Sequence, residues 1–547
     1  MTVDIVGVGK VPLAGGMSLE DLARGHPPGG RPIAAKVDNE MRELTHVVDG
    51  PCTVEYVCLD TIEGNRIYSR GLVFLLIKAA DSIFPGEDLT VSHSVRSGLY
   101  CEVGGRVLTQ AHAKAIEARM RALSSMRIPY VRHLVDKSDL GSYPIKNPRA
   151  KAELFRYRED PKVKLYECDG TFDYFYGYMA PHTGYIDEFS VIPYPPGVVL
   201  LFPTNYDRAA GREPAFKDQR KLFNVFTEYG KWLRALGVRD VASLNGAAER
   251  GELGEVVRVS EALHEKKVAS IADAIADGAG ARRIVLVSGP SSSGKTTFAK
   301  RLTVQLRASL LNPRLISMDD YFRPREETPL DAGGNHDFES IGAIDLELFN
   351  GHMETLMAGG EVELPRFDFV SGKRVWDGRT MRLGDDGILM VEGIHGLNDR
   401  LTETIPGRNK YRIYVSALTV MNLDGHNRVT TTDTRFLRRI VRDLRTRGVS
   451  PEETIMRWPS VRRGEEEGIF PFQENADVMF NSSLIYEFCV IKGLASEALR
   501  SVGRDSPAYC EAKRLLKLLG YFVPMEAGEV AGNSILREFI GGGCFGD

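Results

Sequence analysis

The segment Gly289-Pro290-Ser291-Ser292-Ser293-Gly294-Lys295-Thr296 is the clearest indication of how the C-terminal half of this chain folds. It fits the pattern G-x-x-x-x-G-K-[ST] in full, with a short apolar run (284–287) before it and an amphipathic segment (296–311) after it. Glycines in such a loop let backbone N–H groups curl around phosphate oxygens. The helix that follows points its positive dipole end at the same oxygens. The pattern therefore predicts a phosphate-binding loop between a strand and a helix.

Two side chains carry most of the chemistry expected of this loop. Lys295 would supply a positive charge to the β- and γ-phosphates, and the Thr296 hydroxyl is the expected magnesium ligand. We therefore expect a nucleoside triphosphate and Mg²⁺ at this loop. The nucleotide contacts are expected from Gly289, Pro290, Ser291, Ser292, Ser293, Gly294, Lys295, Thr296 and Thr297. The loop alone leaves open whether water or a substrate hydroxyl receives the phosphoryl group.

Short apolar runs alternate with helical segments around and after the loop. This alternation predicts an α/β fold, with a parallel sheet covered by helices on both faces. The expected strands are 284–287, 315–318, 388–391, 411–415 and 484–486.

Carboxylates follow two of these expected strands. Asp319 and Asp320 come after 315–318, and Glu392 ends the run 388–391. The carboxyl ends of parallel strands are where ligands bind in such sheets. A carboxylate there can accept a hydroxyl proton, which is the role expected of Asp319. Glu392 is expected to serve the magnesium ion, together with Asp320; the alternative is that these acids only end strands and form turns.

Four arginines recur at helical spacing further along the chain. A helix would place them on one face, where they repel one another unless an anion lies between them. Phosphate is the anion we expect, because guanidinium groups bind it well. The alternative is a solvated helix face that Asp433 and Asp443 partly neutralise. The four residues are Arg435, Arg438, Arg439 and Arg442.

The first 280 residues have a different rhythm. Strands are predicted at 2–7, 33–37 and 54–59, and Ser18 is expected to cap a helix over 19–23. Longer helices are predicted at 71–83 and 111–123, and strands at 172–178, 185–192 and 198–202. Residues 226–280 are polar and helical, and we interpret them as a connector.

Composition excludes several classes of protein. The chain has 547 residues with 70 Lys and Arg against 74 Asp and Glu, and this balance argues against a protein that coats nucleic acid. Its apolar runs are far shorter than the ~20 residues of a membrane span, and its first 30 residues show no signal pattern. The 7 cysteines are an odd number without a CxxC, so we expect reduced thiols in a cytoplasmic protein. The 11 histidines form no clear ligand cluster, so no zinc site is expected.

Together, several motifs over residues 281–500 resemble the uridine kinase and phosphoribulokinase group of P-loop kinases. They are 289–297, Asp319-Asp320-Tyr321-Phe322, Pro365-Arg366-Phe367-Asp368-Phe369, Val391-Glu392-Gly393 and the arginine series ending Arg442-Asp443. The resemblance implies that Asp319 is the catalytic base for a sugar 5′-hydroxyl and that the arginine helix is a lid over the transferring phosphate. It also implies a substrate site made of Asp320, Tyr321, Phe338, Glu339, Phe367, Asp368 and Arg374.

The resemblance fails at the positions that read the base. Uridine enzymes of this group read the pyrimidine with a Tyr and a His, and those positions align here with Phe367 and Gly372. A site without these polar groups does not recognise the base in the same way. We therefore expect another nucleoside, or a different small hydroxyl compound.

The N-terminal half resembles threonyl-tRNA synthetases. Residues 1–60 are similar to the β-grasp TGS domain and residues 61–225 to the α+β editing domain, the latter on 66–80, Ser97-Gly98-Leu99-Tyr100 and 178–184. In the synthetases an HxxxH pair and a later Cys and His cluster in the editing site. Those four places align with Arg70, Phe74, Phe175 and Met179, so none retains the family residue and no set there could ligate zinc. The resemblance therefore implies a retained scaffold without deacylation. The whole arrangement is similar to a bacterial class of two-part nucleoside kinases.

We therefore predict an ATP- and magnesium-dependent kinase with a nucleoside-like small-molecule acceptor. One alternative is a kinase of the same group that acts on a sugar phosphate or a pantothenate-like alcohol. Another is a regulatory NTPase that binds tRNA through its N-terminal half. No membrane partner is expected, and a homo-oligomer stays open. The predicted domains are 1–60, 61–225, 226–280, 281–500 and a C-terminal extension at 501–547.

Overall fold

The structure is a computed structural model that describes residues 2–13, 15–278, 283–330, 334, 336–368, 371–384 and 386–546. Phe369 of the predicted motif and the predicted boundary at 280–281 lie outside the described residues. No helix within these ranges is long and apolar enough to cross a bilayer.

The first unit is a mixed sheet covered by one helix. Its strands run in the order β2-β1-β7-β4-β5, with β1 parallel to β7 and the other neighbours antiparallel. Ser18 caps the helix as predicted, since its hydroxyl accepts from the Asp21 N–H at 3.1 Å. This architecture agrees with the predicted β-grasp domain. The elements are β1 (Thr2–Ile5), β2 (Gly9–Pro12), β3 (Met17–Ser18), α1 (Leu19–Gly25), β4 (Pro32–Val37), β5 (Glu40–Glu43), β6 (Val47–Val48) and β7 (Thr53–Cys58).

The middle unit has two antiparallel sheets, β13-β14-β9-β8 and β10-β11-β12. Helix α2 begins nine residues before the predicted start, because the Thr61 hydroxyl caps it by accepting from the Gly64 N–H. The strand predicted at 185–192 begins only at Ser190. The elements are α2 (Ile62–Ile83), β8 (Leu89–Val95), β9 (Gly98–Val103), α3 (Gln110–Ser125), β10 (Val131–Asp136), α4 (Pro148–Phe155), β11 (Lys162–Cys168), β12 (Thr171–Tyr174), β13 (Ser190–Tyr194) and β14 (Gly197–Leu201).

Helices connect this unit to the C-terminal half. They are α5 (Asn205–Ala209), α6 (Arg220–Ala235), α7 (Val241–Glu249) and α8 (Leu253–Ala276), so the helical stretch begins before residue 226.

The C-terminal half is the predicted parallel sheet, in the order β16-β19-β15-β20-β21. One predicted strand is wrong: residues 484–486 lead into a helix, and the fifth strand is Val478–Asn481. A short apolar run does not by itself distinguish a strand from the entry to a buried helix. The elements are β15 (Ile284–Ser288), α9 (Lys295–Ala308), β16 (Asn312–Ser317), α10 (Leu346–Met357), β17 (Glu361–Asp368), β18 (Lys373–Arg382), β19 (Gly387–Glu392), β20 (Lys410–Ser416), α11 (Thr431–Arg447), α12 (Pro451–Gly468), β21 (Val478–Asn481), α13 (Glu487–Arg500), α14 (Tyr509–Leu519) and α15 (Arg537–Ile540).

The middle and C-terminal units share one hydrophobic core. Phe155 of α4 and Tyr174 of β12 lie in the same buried cluster as Tyr521, which follows α14. Backbone groups also join the units, since the Val91 N–H donates to the Gly425 carbonyl at 2.8 Å. The N-terminal half therefore packs directly against the domain that carries the phosphate loop.

Candidate active site

The phosphate loop lies between β15 and α9 and depends on two glycines with positive φ. A Cβ on Gly289 (φ 157°) would lie 1.9 Å from the Val415 carbonyl oxygen, and one on Gly294 (φ 85°) would lie 2.4 Å from the Ile535 side chain. Only glycine therefore fits at these positions. The Lys295 ammonium donates to the Pro290 carbonyl at 3.2 Å, which holds its charge over the loop.

The loop residues fit a nucleotide triphosphate and its magnesium ion. Among the described residues, the hydroxyls of Ser292 and Ser293 are buried and have no hydrogen-bond partner. Unpartnered polar atoms beside a helix N-terminus suit phosphate oxygens. Thr296 would hold the magnesium ion with Glu392, because the two side chains lie within hydrogen-bond reach of each other.

The strand register brings the predicted carboxylates to this loop. Glu392 lies level with Val287 of β15 on one side and with Ser317 of β16 on the other. Asp319 follows β16 in the 3-10 helix Met318–Tyr321. All three strands thus end at the same edge of the sheet, as predicted for a ligand-binding edge.

Burial shapes the electrostatics of this edge. It raises the pKa of Asp319, although Lys295, Arg447 and Arg442 oppose the rise. It also raises the pKa of Glu392 to about 7, with Lys295 opposing the rise and the Asp319 carboxylate adding to it. Burial thus disfavours the charged forms of both carboxylates, and a bound divalent cation would stabilise those charged forms.

The four arginines of α11 divide into two pairs. Arg435 and Arg438 are fully buried and form ion pairs with Glu465 and Glu487. The anions that face these two arginines are therefore protein carboxylates, which neither the phosphate interpretation nor the solvated-face alternative anticipated. Arg435 also donates to the Ser291 carbonyl at 3.1 Å, so it helps to hold the phosphate loop in place.

The other pair lies closer to the reacting edge. Arg439 donates to the Ser291 hydroxyl at 3.0 Å, and both Arg439 and Arg442 contact Asp443. Arg442 is also among the cations that act on Asp319. The predicted role at the transferring phosphate therefore stays a proposal for Arg439 and Arg442.

The predicted substrate residues are also divided. Glu339 lies in the site, since Arg439, Glu465 and Asp319 all affect its carboxyl, and burial raises its pKa to about 7. Tyr321 is fully buried and its hydroxyl pairs with His352, so it packs into the core rather than facing a ligand. Phe338 is 37% exposed and its ring lies 6.5 Å from that of Phe322.

The β17–β18 hairpin carries the remaining predicted substrate residues. The Phe367 N–H donates to Asp320 at 3.2 Å, so Asp320 holds the hairpin against the site, and its role beside the metal stays a prediction. Phe367 itself is buried against Phe322. Arg374 pairs with Asp345 at 2.9 Å, and Asp368 accepts from Ser371. These contacts position the hairpin.

No pattern in the sequence predicts the contact that the C-terminal tail makes with this site. Both the N–H and the hydroxyl of Thr297 donate to the Glu538 carboxylate, at 3.2 and 2.9 Å. Glu538 also acts electrostatically on Glu392. A residue of α15 thus occupies donors that were predicted to bind nucleotide, and only the run 541–543 had marked this tail as unusual.

The positions that align with the synthetase editing site lie at an apolar cluster. Phe74 and Phe175 lie 5.0 Å apart in a buried core that includes Met179. Arg70 lies beside them and donates to the Tyr178 carbonyl at 2.9 Å. The four aligned positions therefore come close together in space.

Comparisons with known proteins find separate relatives for the C-terminal and the N-terminal half of the chain. Residues 284–484 match the model of the phosphoribulokinase / uridine kinase family. A uridine kinase of Deinococcus deserti is 27% identical over 197 residues, which cover 36% of this chain and 86% of that protein. One of Halobacterium salinarum is 29% identical over 194 residues, covering 35% of this chain and 77% of that protein. A threonine–tRNA ligase of Desulfosudis oleivorans is 26% identical to the N-terminal part over 155 residues, covering 28% of this chain and 24% of the ligase.

Proposed function

We propose that this chain, whose residues 284–484 form a domain of the phosphoribulokinase / uridine kinase family, transfers the γ-phosphoryl group of ATP to a hydroxyl of a nucleoside-like small molecule. The class of enzyme, an ATP-dependent phosphotransferase with a hydroxyl acceptor, follows from that family. One observation carries the proposal: Asp319 lies at the strand edge that also holds Lys295 and Glu392.

Each residue at this edge has a distinct role in the proposal. Asp319 orients the acceptor hydroxyl and takes its proton, while Lys295 neutralises charge on the phosphate oxygens. Magnesium, when bound, supplies further positive charge to the phosphates, and Thr296 and Glu392 would hold it. Arg439 and Arg442 lie where charge develops during transfer. Positioning and electrostatics account for most of the catalysis in this type of reaction.

The acceptor pocket supports a compound other than uridine. Gly372 stands where uridine enzymes have the base-reading His, and a Cβ there would lie 2.8 Å from Arg325 Nε. The position of the base-reading Tyr is held by the apolar Phe367. The acceptor we favour is a nucleoside whose base is recognised by side chains other than that Tyr and His. The alternative is a non-nucleoside alcohol.

Two further features fit the proposal. All seven cysteines are free thiols, which supports work in a reducing compartment such as the cytoplasm. The residues aligned with the editing site are apolar or, in Arg70, cationic, which supports a scaffold role for residues 61–225.

The test is ADP release with ATP and magnesium across a panel of nucleosides, sugar phosphates and related alcohols. We expect one compound to stimulate release, and Asp319→Asn to lower kcat by about 10²–10⁴-fold, the usual contribution of a positioned base. The exposed carboxylate change Asp399→Asn is the matched control and should leave kcat unchanged. Release stimulated by tRNA and by no small molecule would contradict the proposal and support the regulatory NTPase.

A further inference from the structure

A second cavity, of about 450 Å³, lies between the middle unit and the C-terminal helices. Its walls come from α2, β11, the segment 176–178, α13 and α14, and none of the loop residues or strand-end carboxylates of the candidate active site lines it. Its volume is within the range of small-molecule sites. It is therefore a separate cavity at a junction of two units.

Cationic side chains outnumber acidic ones in the lining of this cavity. Ten arginine and lysine side chains line it, against four carboxylates. One of those carboxylates, Glu511, is already shared by Arg66 at 3.0 Å and Arg514 at 2.8 Å. The lining thus has more cations than its own acids neutralise.

Three of the cations lack an acidic partner within the described part of the chain. Arg70 donates to the Tyr178 carbonyl at 2.9 Å, Lys517 donates to the Tyr176 carbonyl at 2.6 Å, and Lys164 lies over the Tyr178 ring at 4.6 Å. No ion pair of these three side chains is found among residues that the structure describes. A carbonyl or a ring face offsets a buried positive charge less well than a carboxylate does.

A fourth cation adds an unpartnered donor. Arg158 lines the cavity with 8% of its side chain exposed, and its Nη1 is buried without a hydrogen-bond partner among the described residues. Buried guanidinium donors are normally satisfied, so a missing acceptor points to a ligand atom.

The titration of these groups agrees with the geometry. Burial, and then the charges of Arg158, Lys164 and Arg70, hold the pKa of Lys517 far below its ordinary value. Burial likewise lowers the pKa of Arg70 to about 10. Cations that crowd one another in this way gain free energy when an anion enters.

The walls also offer aromatic surface. Tyr157, Tyr176 and Tyr178 all line the cavity. A Cβ on Gly177 would lie 2.1 Å from the Arg70 guanidinium carbon, so the segment 176–178 passes close against this arginine. Cations beside aromatic rings suit a molecule with both a phosphate and a planar ring.

We propose that this cavity binds a phosphorylated nucleoside, with Arg70, Arg158, Lys164 and Lys517 around its phosphate groups and the tyrosines against its ring. The volume admits one such molecule, either a free nucleotide or the terminal nucleotide of an RNA.

The probe for this site is ADP, titrated calorimetrically into the full chain. Wild type is expected to bind two equivalents, one at the phosphate loop and one in the cavity. The double variant Arg70→Gln/Lys517→Gln is expected to bind one, and Lys295→Ala is expected to keep the cavity equivalent with unchanged affinity. This readout does not depend on kinase activity, so it can fail while the proposed function holds.

Two controls separate binding from damage to the fold. Lys266→Gln, an exposed lysine of α8 outside the cavity, should leave both equivalents in place. The single variant Lys517→Met should not lower the unfolding temperature of the ligand-free protein, because it relieves repulsion, yet it should weaken the second equivalent at least 10-fold. A single equivalent in wild type, or two in the double variant, would overturn the proposal. If deacylated tRNA displaces the ADP from the cavity, the ligand is the end of an RNA. If it does not, the ligand is a free nucleotide.

Discussion

Glu538 shows how one distant residue changes the phosphate site. Its carboxylate accepts from both the N–H and the hydroxyl of Thr297, at the N-terminus of α9. That end of a helix attracts anions, and a side-chain carboxylate there competes with a phosphate for the same donors. Nucleotide binding must therefore displace this contact or share its donors.

Removing the negative charge should strengthen nucleotide binding. A hydrogen bond to a charged group contributes about 1.5–3 kcal/mol, so we expect Glu538→Gln to lower the Kd for ADP by roughly 10-fold. Calorimetric titration with ADP and magnesium measures this change. Glu526→Gln, an exposed acid of the same tail, should have no effect. A Kd that is unchanged or higher in Glu538→Gln would contradict the competition.

At the level of secondary-structure elements, buried polar contacts join helix α11 to the phosphate loop. Arg438 pairs with Glu487 of α13 and donates to the Ser482 carbonyl at 2.8 Å, and the Ser482 hydroxyl donates to the Ser293 carbonyl. The loop, α11 and the start of α13 are thus joined through buried polar groups. Such a network fixes the loop before any ligand arrives.

Breaking this network should destabilise the domain. Arg438→Met would leave the buried Glu487 carboxylate unpaired, and the expected loss in the free energy of unfolding is about 3–5 kcal/mol. Urea unfolding followed by circular dichroism measures it. Arg457→Met, an exposed arginine of α12, is the matched control and should cost under ~0.5 kcal/mol. Full stability in Arg438→Met would show that the pair is dispensable.

At the scale of the whole molecule, a buried ionic cluster joins the middle unit to the kinase domain. Lys151 contacts Asp424 at 2.5 Å and Asp173 at 3.2 Å, and His426 contacts Asp173 at 3.3 Å. Lys151 and Asp173 belong to the middle unit, whereas Asp424 and His426 follow β20. The two halves are therefore held together by charge as well as by their shared core.

Removal of the lysine should weaken this junction. Lys151→Met leaves two buried carboxylates facing one histidine, so we expect a loss of about 3–5 kcal/mol in the free energy of unfolding. Thermal unfolding measures the change, with the exposed Lys114→Met as the control. If Lys151→Met unfolded at the wild-type temperature, as the control should, the junction would not depend on this charge.

The same cluster makes stability depend on pH. Burial alone would raise the pKa values of Asp173 and Asp424, but Lys151 and His426 outweigh it and lower both below 3.8. Burial alone would lower the pKa of His426, but the two aspartates outweigh it and raise it above 6.5. The carboxylates thus stabilise the fold above pH ~3.8 and lose this effect as pH falls, while the His426 contribution is complete below pH ~6.5 and is lost at higher pH. The difference in unfolding temperature between wild type and His426→Gln should therefore shrink as pH rises above 7; a constant difference would contradict the assignment.

The phosphate loop, the parallel sheet around it and the acids at the strand ends could all be predicted from the amino-acid sequence. These features come from local patterns, because glycine spacing and alternating apolar runs constrain neighbouring residues in the chain. The same patterns did not separate residues 484–486 from a true strand, since a short apolar run also begins a buried helix.

The partners of the buried charges, by contrast, are set by the three-dimensional fold. Arg435 and Arg438 looked equivalent to Arg439 and Arg442 on one helix face, yet they pair with Glu465 and Glu487 from other helices. Glu538 reaches Thr297 across 241 residues, and the cationic cavity gathers side chains from α2, β11 and α14. A charge interacts with whatever the fold brings within a few ångströms, so no local pattern reports its partner.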